Sequence, residues 1–112
     1  PVEVLPRPAS AILAGDLNMR PEDPLLARLL QAYADGSPRF VDPWPLLNGD
    51  AKHPPTLGLR SRGFRPEDAF RCDFILVTED LIPRLRRMEV DSITGASDHQ
   101  PVVLELFDGT MV

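Results

Sequence analysis

The stretch Ala11-Ile12-Leu13-Ala14-Gly15-Asp16-Leu17-Asn18 is an apolar run that ends abruptly in polar side chains. Its small and aliphatic residues predict a buried strand over 9–14, and we expect Gly15 to break that strand. On an extended backbone, alternation places Asp16 and Asn18 on the same side. A carboxylate and a carboxamide at a strand end can bind a metal, a water molecule or a phosphate, and they can equally form a turn.

Other apolar runs predict further strands, two strong ones over 70–78 and 101–107 and a weaker one over 86–92. The run over 70–78 contains one anomaly, Asp73, whose carboxylate is costly to bury unless another group hydrogen-bonds it. Strong strands together with a flanking helix predict a layered α/β (α+β) domain with a mainly antiparallel sheet.

One amphipathic helix is predicted after the first strand. Asp23 is a typical N-cap residue, and Pro24 suits the first turn, where a missing N–H costs nothing. Gly36 is the predicted stop. The residues that share one face of this helix are Leu25, Leu26, Leu29, Leu30 and Tyr33. We interpret the helix as scaffold, because its polar face lacks the basic residues of a membrane-binding helix.

Residues 47–67 are predicted to form a long surface loop, a feature that is often functional. A short strand or bend is predicted just before it, around Trp44, which we interpret as a packing anchor. The segment 1–8 alternates prolines with aliphatic residues and is predicted to be an extended lead-in.

Composition limits the possible functions of these 112 residues. A hydrophobic fraction of 43% argues against disorder, and no apolar stretch approaches the ~20 residues that cross a bilayer. The single cysteine, Cys72, excludes an internal disulfide and is interpreted as a buried, inert thiol. We therefore expect a reducing compartment, the cytoplasm. The net charge of −5 disfavours non-specific adhesion to nucleic acid, but a bound divalent cation can still attract a phosphate ester.

Polar residues beside the apolar strands suggest hydrolytic chemistry. Histidine exchanges protons near neutral pH, and a buried carboxylate such as Asp73 is the usual partner that orients it. Asp98 suits a hard cation such as Mg²⁺, while Asp16 can orient or deprotonate a water molecule. The bland alternatives are an Asx-type turn at Gly-Asp-Leu-Asn and a loop hydrogen-bond cluster at Ser-Asp-His. No nucleophile-elbow serine and no phosphate-binding Gly-rich loop is present, which favours water as the nucleophile.

Four segments taken in order resemble one known family. These are Gly15-Asp16-Leu17-Asn18, then Thr56, then Arg71-Cys72-Asp73-Phe74-Ile75-Leu76, and finally Ser97-Asp98-His99-Gln100-Pro101-Val102. Together they resemble the endonuclease/exonuclease/phosphatase superfamily, whose members include DNase I and AP endonucleases. The resemblance implies a four-layer α/β sandwich, of which residues 1–112 would be the C-terminal half.

The resemblance also implies catalytic roles for four residues. Asp16 would orient or activate the attacking water, and Asn18 would contact the scissile phosphate. Asp73 would hold the imidazole of His99, which would bind phosphate oxygens and assist proton transfer. The implied reaction is hydrolysis of a phosphodiester or phosphomonoester by an activated water.

The implied binding residues extend this set. Asp98 and Asp16 would bind a divalent metal, Mg²⁺ or Mn²⁺, and Thr56 and Arg60 would join Asn18 and His99 in binding substrate. Nucleic acid, inositol phosphates and phospholipid headgroups all remain possible substrates, because one scaffold serves many of them. The loop arginines and a strand arginine favour a polyanion near the site; they are Arg60, Arg62, Arg65 and Arg71.

The N-terminal half of such a domain normally supplies a metal-binding glutamate, and no counterpart is found in this sequence. We therefore expect the chain by itself to be inactive, with the missing N-terminal half as its partner. The alternative is a non-catalytic folding or interaction module that forms a homodimer through an exposed sheet face.

Overall fold

The computed structural model describes residues 9–60 and 63–108. Within these ranges the strands are β1 (Ile12–Asp16), β2 (Phe40–Val41), β3 (Asp73–Thr78), β4 (Leu85–Val90) and β5 (Val102–Leu106). The α-helices are α1 (Pro24–Leu29) and α2 (Pro43–Asn48), and short 3-10 helices span Pro66–Asp68 and Glu79–Arg84.

The strands form two antiparallel sheets. β3 is the central strand of a three-stranded sheet in the order β1-β3-β2, and β4 pairs with β5 in a two-stranded sheet. This arrangement confirms the predicted α/β (α+β) class with mainly antiparallel sheets and flanking helices. That it forms half of a four-layer sandwich stays a prediction.

The two faces of β3 pack against different elements. Phe74 and Leu76 are buried against Leu26 of α1 on one face. Val77 points to the opposite face, as strand alternation requires, and is buried with Leu85 of β4. β3 is therefore held on both sides, which fixes the position of the polar residue at its start.

β1 starts later than predicted, at Ile12, and ends later, at Asp16, because Gly15 continues the strand instead of breaking it. Gly15 is paired with Phe74 of β3 and has φ +150°, a backbone region that residues with a Cβ rarely adopt. The predicted break at Gly15 was wrong for this reason. Asp16 becomes the last residue of β1 and lies directly opposite Asp73.

The helix α1 begins as predicted and ends earlier. The carboxylate of Asp23 accepts a hydrogen bond from the backbone N–H of Leu25 at 2.9 Å, which confirms the cap. The helix stops at Leu29, and Leu26 is its one buried residue. Leu25 and Tyr33 are 52% and 38% exposed, so the predicted apolar face is not buried as a whole. A short helix gains most of its stability from tertiary packing, and little packing is present to extend this one.

The helix α2 was not predicted. Asp42 caps it by accepting the backbone N–H of Trp44 at 3.1 Å, and Pro43 and Pro45 occupy its first turn, where no N–H is needed. The prolines that suggested a bend are thus compatible with this helix. Trp44 is buried and its indole N–H donates to the carbonyl of Ala51 at 2.7 Å, which confirms its packing role.

The long loop predicted over 47–67 follows α2 and partly enters the interior. Thr56 is completely buried, and Leu57 forms isolated antiparallel bridges to both Phe70 and His99. The loop therefore joins the entry of β3 to the entry of β5, and a surface position was the wrong expectation for its middle.

Within the described residues, no helix combines the length and the apolar character that crossing a membrane requires. The predicted lead-in over 1–8 and Arg62 lie outside the part of the chain that the structure describes. The cytoplasmic location stays a prediction.

Candidate functional site

Two carboxylates lie side by side where β1 ends and β3 begins. Asp16 and Asp73 are directly opposite each other in the antiparallel register. Like charges in opposed positions of a sheet destabilise it. The arrangement therefore needs a compensating cation or hydrogen-bond donor.

His99, just before β5, meets both carboxylates. Its Nδ1 lies 2.8 Å from Oδ2 of Asp73, and its Nε2 lies 3.9 Å from Oδ2 of Asp16. The first distance is a hydrogen bond and assigns the Nδ1 proton to the bond with Asp73. The second is too long for a direct bond, but a water or phosphate oxygen can lie about 2.8 Å from both atoms. The carboxylate of Asp16 and Nε2 of His99 can therefore contact the same bound oxygen atom.

The carboxylates shift the ionisation of His99. The hydrogen bond to Asp73 raises the pKa of His99 and outweighs the opposing effect of burial, and the charges of Asp73, Asp16 and Asp98 raise it further. Burial alone would raise the pKa of Asp73, but hydrogen bonds from His99, Thr56 and Cys72 outweigh it and lower that pKa. Asp73 thus stays ionised beside an imidazole that readily accepts a proton.

Thr56 holds together the two backbone segments that carry the site. Its hydroxyl accepts the backbone N–H groups of Cys72 at 3.0 Å and Asp73 at 3.1 Å. The backbone N–H of Gln100 donates to the Thr56 carbonyl at 2.7 Å, which ties the same residue to the His99 segment. Because Thr56 is fully buried, we correct its expected contact with substrate to a positioning role.

Cys72 lies closer to the site than its sequence suggested. Its thiol is 3.4 Å from Oδ2 of Asp73 and 4.0 Å from Nδ1 of His99. Burial, followed by the hydrogen bond to Asp73, raises the pKa of Cys72 to about 12. The thiol therefore stays protonated and donates to Asp73, and its burial was predicted correctly.

Asn18 lies beyond the end of β1, so strand alternation does not orient it. Its φ is +52°, a left-handed conformation that asparagine tolerates better than most residues. The backbone N–H of Asn18 donates to Oδ1 of Asp16 at 2.8 Å, which is the Asx-type turn that the sequence left open. This turn fixes one oxygen of Asp16 and leaves Oδ2 toward His99.

Asp98 is exposed and lies outside the tight cluster. The Ser97 hydroxyl lies 3.4 Å from Oδ1 of Asp98 and accepts the backbone N–H of His99 at 3.1 Å. The loop hydrogen-bond cluster that the sequence left open as the alternative at Ser-Asp-His is therefore present. Its place next to His99 is consistent with an electrostatic effect on the imidazole.

The arginines expected to face a polyanion are largely occupied. Arg60 donates to the carbonyls of Ser92 and Ile93 at 3.2 and 3.3 Å. Arg65 pairs with Asp68 at 2.9 Å. These contacts involve one nitrogen of each guanidinium, so the predicted substrate role of Arg60 stays a prediction.

Arg71 is buried and forms a two-pronged ion pair with Asp42, at 2.6 and 3.0 Å. Its guanidinium also lies over the ring of Phe74, 4.4 Å from the centroid. Arg71 therefore links α2 to the start of β3, and its predicted place near substrate is corrected to a structural one.

Two cations escaped the sequence reasoning because no motif marks them. Arg20 lies over the ring of Phe70, 4.0 Å from its centroid, and Lys52 lines the same cleft. Among the described residues, neither forms an ion pair. Arg20 lies two residues after Asn18, and Lys52 lies four residues before Thr56. This closeness in sequence to predicted site residues was the signal that could have found them.

The donor set suits a divalent cation only in part. Ligand atoms of Asp16, Cys72, Asp73 and His99 lie within 4.8 Å of one another. The Cys72 thiol is protonated and Asp73 is committed to His99, which leaves the Asp16 carboxylate and the Nε2 edge of His99. One carboxylate is typical of Mg²⁺ sites that rely on substrate oxygens and waters.

No family model, no curated protein and no solved structure matches this chain. Assignment to the endonuclease/exonuclease/phosphatase superfamily therefore stays a prediction from the motifs.

Proposed function

We propose that this chain carries the proton-transfer centre of a divalent-metal-dependent phosphoesterase. The observation that supports it is the alignment of Asp73, His99 and Asp16, with 2.8 Å from Asp73 to Nδ1 and 3.9 Å from Nε2 to Asp16. A hydrolase needs a group that takes a proton from water and one that gives a proton to the leaving oxygen. Asp16 would be the proton acceptor and His99 the proton donor, and the two side chains lie next to each other.

In this proposal Asp16 accepts the proton of the attacking water, and the Asx-type turn at Asn18 holds its carboxylate. His99, whose pKa the hydrogen bond to Asp73 raises, binds a phosphate oxygen through Nε2–H when it is protonated and donates that proton to the leaving alkoxide. Asp73 keeps the ring oriented and stabilises its positive charge. Asn18 donates from its carboxamide to the charge that develops on phosphorus-bound oxygens.

Asp16 would hold the Mg²⁺ or Mn²⁺ ion, and substrate oxygens would complete its shell. Asp98, which the resemblance implies as a second ligand, lies outside the cluster of ligand atoms and would reach the ion only if its exposed loop moved. A bound metal would neutralise part of the negative charge of the phosphate. Because the donor set here is small, the proposal includes a further ligand from the N-terminal half that the resemblance implies.

The test is hydrolysis of a dinucleotide phosphodiester, whose leaving group is an alkoxide, by the full-length protein with and without Mg²⁺. His99→Ala and Asp16→Asn should each lower kcat/KM about 10²- to 10⁴-fold, the usual effect of losing an acid–base group. Asp23→Asn is the matched control, since asparagine also caps helices. Unchanged turnover in both site variants would overturn the proposal.

A second candidate is an interaction module, and the open side of β1 favours it. Among the described residues β1 pairs only with β3, and Ile12 on this strand is 52% exposed. An exposed strand edge with apolar side chains tends to pair with another chain. We propose that the 112-residue chain by itself forms a homodimer along β1.

Light scattering at increasing concentration tests this candidate, with Ile12→Lys as the variant that should shift the chain toward monomer. Ile93→Lys is the control, because Ile93 is 86% exposed and belongs to a loop, not to a strand edge. A chain that stays monomeric at high concentration would exclude the dimer. Full hydrolytic activity of that chain would show that no further half is needed.

A further inference from the structure

Four side chains near the ends of β1 and β3 bring together donor atoms of three chemical kinds. One ligand atom from each side chain lies within 4.8 Å of the ligand atoms of the other three. The set offers a sulfur, an imidazole nitrogen and two carboxylate oxygens, and we call it the four-donor cluster; its members are Asp16, Cys72, Asp73 and His99. The hydrolysis proposed above gives the thiol of Cys72 no role.

Distances within the four-donor cluster are close to those between the ligands of a tetrahedral zinc ion. Zinc–sulfur bonds of about 2.3 Å and zinc–nitrogen or zinc–oxygen bonds of about 2.0–2.2 Å separate neighbouring ligand atoms by about 3.3–3.7 Å. Sγ of Cys72 lies 3.4 Å from Oδ2 of Asp73 and 4.0 Å from Nδ1 of His99. That Nδ1 lies 2.8 Å from the same Oδ2. Shifts of about half an ångström would therefore give zinc geometry.

The backbone holds these donors in place before any ion binds. The hydroxyl of Thr56 accepts the backbone N–H groups of Cys72 and Asp73 at 3.0 and 3.1 Å. Asp16 is paired with Asp73 in the strand register, and the turn at Asn18 fixes its carboxylate. Little conformational freedom is therefore lost when an ion draws the donors together.

The four-donor cluster is closed at one end and open at the other. Cys72 is 2% exposed and places the thiol at the closed end. The side chains of Asp16 and His99 are 38% and 34% exposed. An ion can therefore enter from the solvent side and reach the thiol behind these two side chains.

The thiol determines which class of ion suits the cluster. Mg²⁺ prefers oxygen ligands, whereas Zn²⁺ binds sulfur, nitrogen and oxygen and deprotonates a thiol that coordinates it. On binding, Cys72 releases its thiol proton to solvent and forms a sulfur–zinc bond. Neutral His99 binds through Nδ1 and carries its proton on Nε2 instead. Zn²⁺ thus takes the place of the two protons that otherwise bond to Asp73.

We propose that the four-donor cluster binds Zn²⁺, with Cys72 as its sulfur ligand. This site differs from the Mg²⁺ or Mn²⁺ site proposed above, which uses Asp16 with substrate oxygens and has no sulfur ligand. Because Asp16 would serve both ions, and because Zn²⁺ would also occupy His99, Zn²⁺ should inhibit the proposed hydrolysis. That inhibition rests on the proposed phosphoesterase function, whereas Zn²⁺ binding does not.

Co²⁺ is a suitable probe, because it occupies zinc sites and absorbs light. Added to the metal-free, full-length protein, Co²⁺ should produce a thiolate-to-cobalt charge-transfer band in the near ultraviolet and the visible bands of four-coordinate cobalt. Added Zn²⁺ should remove both. Cys72→Ser should abolish the charge-transfer band and weaken Zn²⁺ binding at least about tenfold, measured by competition with a chromophoric chelator.

Histidine variants provide a second comparison that does not depend on Cys72. His99→Phe should weaken Zn²⁺ binding at least about tenfold. His53→Phe is the matched control and should leave the affinity unchanged, because His53 does not belong to the four-donor cluster. Absence of the charge-transfer band in the wild type would overturn the proposal. So would a Zn²⁺ affinity that is the same in the wild type, Cys72→Ser and His99→Phe.

Failure of this proposal differs from failure of the proposed function. If the cobalt band is present but neither Zn²⁺ nor the His99→Phe substitution reduces hydrolysis, the metal site stands and the catalytic assignment falls. If His99→Phe abolishes hydrolysis and no cobalt band is found, the catalytic assignment stands and the metal site falls.

Discussion

Oδ2 of Asp73 accepts the Nδ1 proton of His99 at 2.8 Å, joining residues 26 positions apart in the chain. The bond raises the pKa of His99 and helps to lower that of Asp73. The pair therefore stabilises the fold most between the unfolded pKa of Asp, 3.8, and that of His, 6.5. Its contribution falls as pH rises through the folded pKa of His99, and also as pH falls through that of Asp73.

Asp73→Asn should lower the pKa of His99 toward its ordinary value, because the ionised partner is lost. NMR titration of the His99 ring measures this directly. We also expect a fall of about 10- to 100-fold in kcat/KM, with the alkaline limb of the pH profile moved to lower pH. Asp23→Asn, at the cap of α1, should leave the titration unchanged, because Asp23 is not among the groups that shift the pKa of His99. An unshifted His99 in Asp73→Asn would contradict the assigned hydrogen bond.

Thr56→Val should destabilise the protein by about 1–3 kcal/mol for each N–H it leaves unpaired. The Thr56 hydroxyl accepts from the buried backbone N–H groups of Cys72 and Asp73, and valine has the same shape without an acceptor. Urea denaturation measures the loss. Thr56→Ser keeps the oxygen and should retain most of the stability. Equal losses in both variants would show that the hydroxyl oxygen does not stabilise the fold through these two bonds.

Arg71→Met should cost about 3–5 kcal/mol of unfolding free energy, because Asp42 would be left without its partner. The side chains of Arg71 and Asp42 are only 8% and 18% exposed. Arg65→Met is the control, since its pair with Asp68 is exposed and should contribute below about 1 kcal/mol. Chemical denaturation of the two variants side by side decides the point, and similar small losses would argue against a structural Arg71.

His53 should make the fold less stable in acid. Burial, followed by the charge of Arg71, lowers the pKa of His53, so the unfolded chain binds a proton more readily. Stability therefore falls as pH drops below the unfolded value of 6.5 toward the folded pKa.

His53→Phe should keep the ring packing on Trp44, where the centroids are 4.5 Å apart, and remove the titration. The change from pH 8 to pH 5 should then lower the urea midpoint less, or raise it more, in the variant than in the wild type, because the Asp73–His99 pair contributes equally to both proteins. The same signed change in both proteins would show that His53 is not responsible.

Local signals predicted much of this protein. The apolar runs gave the strong strands, since alternation and burial are properties of neighbouring residues. Asp23 and Pro24 gave the start of α1 for the same reason. The sequence also predicted that Asp73 requires hydrogen-bond donors from elsewhere in the chain, because the apolar side chains beside it in the strand cannot donate.

Other features depend on contacts between distant residues. The burial of Thr56, the pairing of Arg71 with Asp42 and the stacking of Arg20 on Phe70 each join segments that no local pattern relates. Sequence reasoning therefore placed Thr56 and Arg71 at the substrate and overlooked Arg20.

The sequence by itself determined which residues have the chemistry for this site, above all Asp16, Asp73 and His99. Only the tertiary structure decided that they meet. The register that sets Asp16 opposite Asp73, and the Leu57 bridges that bring in His99, are set by strand pairing and loop closure. These depend on the packing of the whole chain, because the backbone hydrogen bonds that fix them are the same for every residue type.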